Sequence, residues 1–211
     1  MTATNEVPRE LLARAADGDQ RALAELLTPY RDRLKRMVKV RLNPLLQGRV
    51  DASDIIQEAM LEASQRLREY LDGPGMPFFL WLRHLAGQKL IDAHRRHLGT
   101  HKRDASLEIS LQRGAWPVAS CTSLAEQLLG RLSSPSQAAI KAELRLRVQE
   151  ALNSLDPLDR EVLALRHFEQ LSTAETAAAL GIGKSAASSR YVRALKRLKD
   201  LLAGMPGLFG D

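Results

Sequence analysis

Apolar residues recur every three or four positions through most of this chain, and alternating β-branched runs are absent. The first spacing places side chains on one face of a helix, whereas the second would mark a strand, so the pattern predicts an all-α fold. Leu11 to Ala16 reads as a short helix stopped at Asp17-Gly18-Asp19, and Arg21 to about Leu42 as a long one ended by Asn43-Pro44. Ser53 to Leu71 gives the next, with Ile56, Met60, Ala63 and Leu67 as its core-facing stripe. Gly73-Pro74-Gly75 breaks it, and Pro77, with no N–H to leave unpaired, suits the first position of a helix running to about Gly99.

The text then changes character. From about Asp104 to Gln137 serine, glycine and proline mix with short apolar pieces, which reads as a flexible linker with at most local helix. Helix resumes at Ala138. A later break, NSLDPLDRE, offers Asp156 as N-cap and Pro157 as first helical residue, with Asp159 and Glu161 in the first turn where the helix dipole favours acids. The predicted organisation is two helical domains, residues 8–104 and 138–203, joined by a linker over 105–137.

Charge narrows the choice of partner. With a net charge of +6 over 211 residues and a pI near 9.8, the chain suits a polyanion. The first residues hold no apolar run of signal-peptide length and no stretch is long enough to span a bilayer, so a cytoplasmic protein without membrane contact is expected. A single cysteine, Cys121, excludes an internal disulfide and a cysteine-rich zinc site.

The basic residues cluster in two places. LSTAETAAALGIGKSAASSRYVRALKRLKDLL has the form of a helix-turn-helix: Ala177 is small where two helices would cross, Gly181 supplies a permissive turn, and Ala187, Tyr191, Ala194 and Leu198 form an apolar series. The opposite face carries Ser185, Ser189, Val192, Arg193 and Lys196, with Ser188 and Lys199 beside it. Six basic residues between Lys184 and Lys199 suit a helix lying in a DNA major groove, serines and arginine reaching bases and lysines meeting phosphates.

The second cluster is PFFLWLRHLAGQKLIDAHRRHLGTHKRD, with Arg83, Lys89, Arg95, Arg96, Lys102 and Arg103. Aromatics beside cations suit single-stranded nucleic acid, although Phe78, Phe79, Leu82 and Leu85 equally fit a core stripe. His94, His97 and His101 with Asp92 have spacings that a metal site would use, but the arginines among them oppose a cation. No phosphate-binding glycine loop and no catalytic triad appear, so neither a cofactor nor catalysis is expected.

One acidic feature runs against the charge balance. Asp51, Asp54, Glu58 and Glu62 follow at three or four residues on one helix, where like charges cost a few tenths of a kcal/mol per pair.

Taken together, RVDASDIIQEAMLEA, PFFLWLRHLAGQKLIDAHRRH and LDREVLALRHFEQLSTAETAAALGIGKSAASSRYVRALKRL resemble, in order and spacing, a bacterial RNA polymerase sigma factor of the extracytoplasmic function type. The likeness covers about residues 8 to 104 as region 2 and 138 to 203 as region 4, and RLKRMVKVRLNPLLQGRVDASDIIQEA resembles the form common in planctomycete-like members. It implies that Asp54, Gln57 and Glu58 dock on a basic coiled coil of the polymerase β′ subunit, which gives the acidic stripe a purpose. It implies further that Tyr70 to Pro77 is the loop capturing a flipped base of the -10 element, with Arg83, Lys89, Arg95 and Arg96 as backbone contacts on the melted strand.

By the same resemblance region 4 reads the -35 element as duplex, Ser188, Ser189, Arg190 and Arg193 standing at the family's contact positions, with Lys184, Ser185 and Lys196 on the basic helix beside them. Arg190 projects near the apolar edge and is expected to reach a phosphate rather than a base. The family often has a larger β-branched residue at Ala187 and a lysine at Ser188, so packing and readout soften here. A linker of 34 residues extends beyond about 100 Å, against about 34 Å for a DNA turn, and so can span two promoter elements. Trp116 and Cys121 within it form either a local cluster or a docking point.

The implied partners are core RNA polymerase (β′ and β subunits) and promoter DNA, with an anti-sigma factor as a further candidate. About eight residues follow the last helix, so no appended sensory domain is expected. Two rival readings are a response-regulator-type helix-turn-helix transcription factor, with a similar LDREVLALRHFEQLS beginning, and a metal-dependent nucleic-acid enzyme using the histidines.

Overall fold

The computed structural model of the chain describes residues 7–73, 75–98, 117–129 and 138–203. Among them every regular element is helical, so the all-α expectation holds. The chain divides into two compact units, Met1–Pro117 and Val118–Asp211.

The first unit begins with α1 (Arg9–Ala16) and α2 (Gln20–Leu27). Asp19 sets their junction: its Oδ1 accepts from the Arg21 and Ala22 N–H groups at 2.9 and 3.0 Å, while Arg14 donates to its Oδ2 at 2.7 Å. The long helix expected over Arg21 to Leu42 is interrupted. Pro29 lacks the N–H that would continue the ladder, so α2 tightens into a 3-10 turn, Thr28–Tyr30, before α3 (Arg31–Arg41) starts afresh.

Asp51 caps α4 (Ala52–Gln65), accepting from the Ser53 N–H at 2.7 Å. The single helix expected over Ser53 to Leu71 is offset at Arg66, beyond which α5 (Leu67–Asp72) follows. Then α6 (Phe78–Leu98) runs across α3 and α4. Leu34, Met37 and Val38 of α3, Ile55, Ile56, Ala59 and Ala63 of α4, and Leu82, Leu85, Ala86 and Leu90 of α6 are all buried. Each fully buried large aliphatic side chain contributes roughly 1.5–3 kcal/mol, so this three-helix contact dominates the unit. Met60, expected in the stripe, is half-buried; Ile55 and Ala59 fill the facing positions instead.

In the second unit the stretch expected to be linker with at most local helix holds one. Cys121–Leu129 forms α7, which buries Ser123, Leu124, Ala125 and Leu129 and packs on α8 (Ala138–Asn153). Its apolar residues lie at helical spacing inside a serine-rich stretch, and the composition masks them. Trp116 lies outside the described residues. After α8 come α9 (Pro157–Leu163), a π-turn over Ala164–Phe168, α10 (Thr173–Leu180) and α11 (Lys184–Ala203). As expected, Asp156 caps α9, its side chain accepting from the Leu158 and Asp159 N–H groups at 3.0 and 3.2 Å.

Candidate functional site

In the first unit the acidic stripe of α4 separates into two kinds of residue. Asp51 is used as the cap, and Glu62 is used between helices: Lys89 of α6 lies 2.6 Å from its Oε2 and Arg66 donates to its Oε1 at 2.9 Å. The hydrogen bond from Lys89, more than any other contact, holds the Glu62 carboxyl below its usual range. Asp54, Gln57 and Glu58 remain on the surface, on one face with Leu61, which is 61% exposed. This face has a loose tie to α6, Arg96 to Glu58 at 3.6 Å, between two exposed side chains.

The four basic residues proposed on α6 fall apart similarly. Arg83 is 6% exposed and engaged inside the fold, which corrects its expected place on a nucleic-acid surface. The reason is its register: Phe79, Arg83, Ala86 and Leu90 are spaced four, three and four apart, and all are buried. Lys89 is held by Glu62 with a quarter of its side chain exposed. Arg95 and Arg96 are exposed near the carboxy end.

His94 is buried and accepts, at Nε2, a hydrogen bond of 3.2 Å from the Asn43 N–H just beyond α3. An accepting Nε2 requires the neutral ring with its proton on Nδ1, and burial pushes the pKa down to about 4. His94 is thus a packing residue. Among the described residues no three His, Cys, Asp or Glu side chains are grouped to hold a metal; His101 lies outside them.

The aromatic residues divide too. Phe78 and Phe79 are buried against Tyr30, with ring centroids 5.7 Å apart in both pairs, which places them in the core. Tyr70 and Trp81 are half-buried with centroids 4.9 Å apart, and the Tyr70 hydroxyl donates to the Met76 carbonyl at 3.0 Å across the loop that precedes α6.

In the second unit α10 opens with a capping box. The Glu175 N–H donates to Ser172 Oγ at 3.1 Å, and the Ser172 N–H to Glu175 Oε2 at 2.7 Å. Gly181 ends the helix at φ +64°, a left-handed conformation that favours glycine. Ala177 is buried, as are Ala187, Ala194 and Leu198 of α11, so the helix pair closes on the expected side. Tyr191 is half-buried, with the Arg166 guanidinium 5.1 Å from its ring centroid. Lys184, Ser185, Ser188, Ser189, Val192, Arg193 and Lys196 are exposed.

Two arginines of α11 have a partner that sequence reasoning missed. Arg193 donates through Nε to Asp159 Oδ2 at 2.7 Å and through Nη2 to Oδ1 at 2.8 Å, while Arg190 Nη1 donates to the same Oδ1 at 2.7 Å. Asp159 is buried, and the Arg193 hydrogen bond is the largest influence holding its carboxyl below the usual range. Its position in the first turn of α9 signalled only a favourable helix dipole; partners 31 and 34 residues away carry no local mark.

Comparison with known proteins joins these two surfaces. Residues 26–99 match the family described as Sigma-70 region 2, and residues 145–198 the family described as Sigma-70, region 4. The ECF RNA polymerase sigma factor SigD of Mycobacterium tuberculosis is 35% identical over 203 residues, spanning 95% of this chain and 86% of the relative. The RNA polymerase sigma-E factor of Streptomyces avermitilis is 29% identical over 187 residues, spanning 89% and 88%. A solved structure of CnrH in complex with the cytosolic domain of CnrY aligns with a TM-score of 0.52 at 25% identity, covering 92% of this chain and 96% of that one. With both conserved regions present in order and a relative of this identity along nearly the whole length, the chain belongs to the sigma-70 family of RNA polymerase sigma factors, in its extracytoplasmic function group.

Proposed function

We propose a division of labour for this sigma factor, whose family activity is to bind core RNA polymerase and direct promoter-specific initiation. The first unit docks on the β′ subunit through Asp54, Gln57 and Glu58, with Leu61 adding an apolar contact. The observation that carries this reading is the selective exposure on α4: in a chain of net charge +6, Asp51 and Glu62 are consumed internally while Asp54 and Glu58 are left facing solvent. Partner cations would relieve their mutual repulsion and speed docking.

Arg95 and Arg96, with Lys89 at the margin, track the backbone of the melted -10 strand; Arg83 is omitted because it is buried. The second unit reads the -35 element as duplex through α11. Lys184 and Lys196 meet phosphates, Ser185, Ser188, Ser189 and Arg193 face base edges, and Arg190, only 30% exposed, serves at the protein's side of the groove. Such a protein works in the cytoplasm, adds no catalytic step of its own, and is open to control by an anti-sigma protein. The response-regulator reading leaves the first unit without a role.

The experiment is in vitro transcription with core polymerase on promoter fragments. Asp54→Arg with Glu58→Arg should abolish the start sites that depend on this protein while leaving its far-ultraviolet circular dichroism intact. Undiminished transcription by the folded double variant would remove Asp54 and Glu58 from the docking surface.

A further inference from the structure

We infer that Asp159 is a positioning residue for duplex reading, holding Arg193 so that its guanidinium meets DNA by the outer edge alone. The inference rests on the reading of α11 as the duplex-reading helix.

A guanidinium carries five N–H donors in one plane. Arg193 commits the Nε–H and one Nη2–H to the two oxygens of Asp159, at 2.7 and 2.8 Å, a two-pronged match between fork and carboxylate. The second Nη2–H and one Nη1–H lie along the neighbouring edge, and the other Nη1–H points back beside Cδ. The pair on that neighbouring edge is parallel and spaced to bind either two phosphate oxygens or the O6 and N7 acceptors of guanine. Exposure agrees with this division: the Asp159 side chain is 7% exposed and that of Arg193 58%.

The carboxylate is itself fixed. Its own N–H donates to Asp156 Oδ1 at 3.2 Å in the capped first turn of α9. Arg190 closes the cluster from the side, 2.7 Å from Asp159 Oδ1 and 3.6 Å from Asp156 Oδ1. One buried carboxylate thus links the start of α9 to the middle of α11 and supports two cations. An unrestrained arginine would lose its rotamer freedom on meeting DNA and would accept many phosphate geometries; here that freedom is already lost on folding, and one two-donor edge remains in a fixed direction.

The consequence is a separation of specificity from affinity. Asp159→Asn keeps the shape, removes one negative charge and releases Arg193, so the full-length variant should bind scrambled duplex more tightly. Its preference for the -35 element over scrambled duplex should fall about tenfold, the scale of one two-pronged base contact. The measurement is fluorescence anisotropy of the full chain on a duplex carrying its mapped -35 element and on a scrambled duplex. Four proteins are compared: wild type, Asp159→Asn, Arg193→Ala and the double variant.

The inference is supported if Arg193→Ala and Asp159→Asn each lose the preference and the double variant loses no more than Arg193→Ala. It is overturned if Asp159→Asn keeps the wild-type preference while Arg193→Ala loses it, an outcome that leaves α11 as the duplex reader. If Arg193→Ala keeps the preference, the reading of Arg193 at base edges fails and the inference with it. Should Asp159→Asn not fold, Arg193→Lys decides: lysine retains the charge without the fork, so loss of preference supports the inference and its retention overturns it.

Discussion

His94 is a histidine in a cationic helix whose role is packing. Its neutral ring accepts from the Asn43 N–H, and burial lowers its pKa to about 4 from 6.5. Between those values the unfolded chain takes up a proton that the folded chain refuses, so stability falls as pH falls across that window, by up to about 3 kcal/mol. NMR of the folded protein should show the His94 ring silent until pH approaches 4, and His94→Gln should flatten the fall in urea midpoint between pH 6.5 and 4. A ring titrating near 6.5 would contradict the buried acceptor role. Glu62 and Asp159 act in the same direction at lower pH: their carboxyls are depressed by Lys89 and Arg193, so the stability they contribute is present above the ordinary carboxylate range and lost as pH falls through their lowered values.

At the scale of the element, α10 is held at both ends by features independent of any ligand. Ser172→Ala removes the acceptor for the Glu175 N–H and should cost about 1 kcal/mol of stability in the second unit. Gly181→Ala should cost about the same for a different reason: nothing lies within 4 Å of the added methyl, so the loss is purely the backbone strain of a side chain at φ +64°. Denaturant unfolding of the full chain checks both, and a Gly181→Asn variant, better suited to that conformation, should recover part of the loss. In α4 the same logic separates structural from available acids: residues committed to a cap or to a close, half-buried ion pair between helices are poor candidates for a partner, and those in solvent, Glu58 with its loose 3.6 Å pair included, are good ones.

For the whole molecule, each unit has its own buried core and carries its own proposed surface. Fragments Met1–Pro117 and Val118–Asp211 should therefore each retain helical circular dichroism. The first should bind core polymerase and the second duplex DNA, with initiation that depends on the -35 element requiring the intact chain. Mixing the two fragments and recovering that initiation would show that covalent linkage is unnecessary. No described helix is long and apolar enough to cross a membrane.

Much of this protein is written locally. Helical spacing, the Asp156-Pro157 start, the Gly181 turn and the apolar series Ala187, Ala194 and Leu198 depend on neighbours within a few residues, so the sequence by itself determined the all-α class, the helix-turn-helix and the face of α11 turned to solvent. The α7 helix was legible only as local helix within a linker, because its composition resembles a linker, and its packing on α8 carries no local mark. Which charges are available was decided only by tertiary structure. Arg83 turned into the core, Glu62 taken by Lys89, His94 closed over Asn43, and Asp159 gripped by Arg190 and Arg193 all depend on groups brought together from distant positions. A charge advertises itself in sequence, but whether it meets solvent or a partner depends on packing, and packing is not a local property.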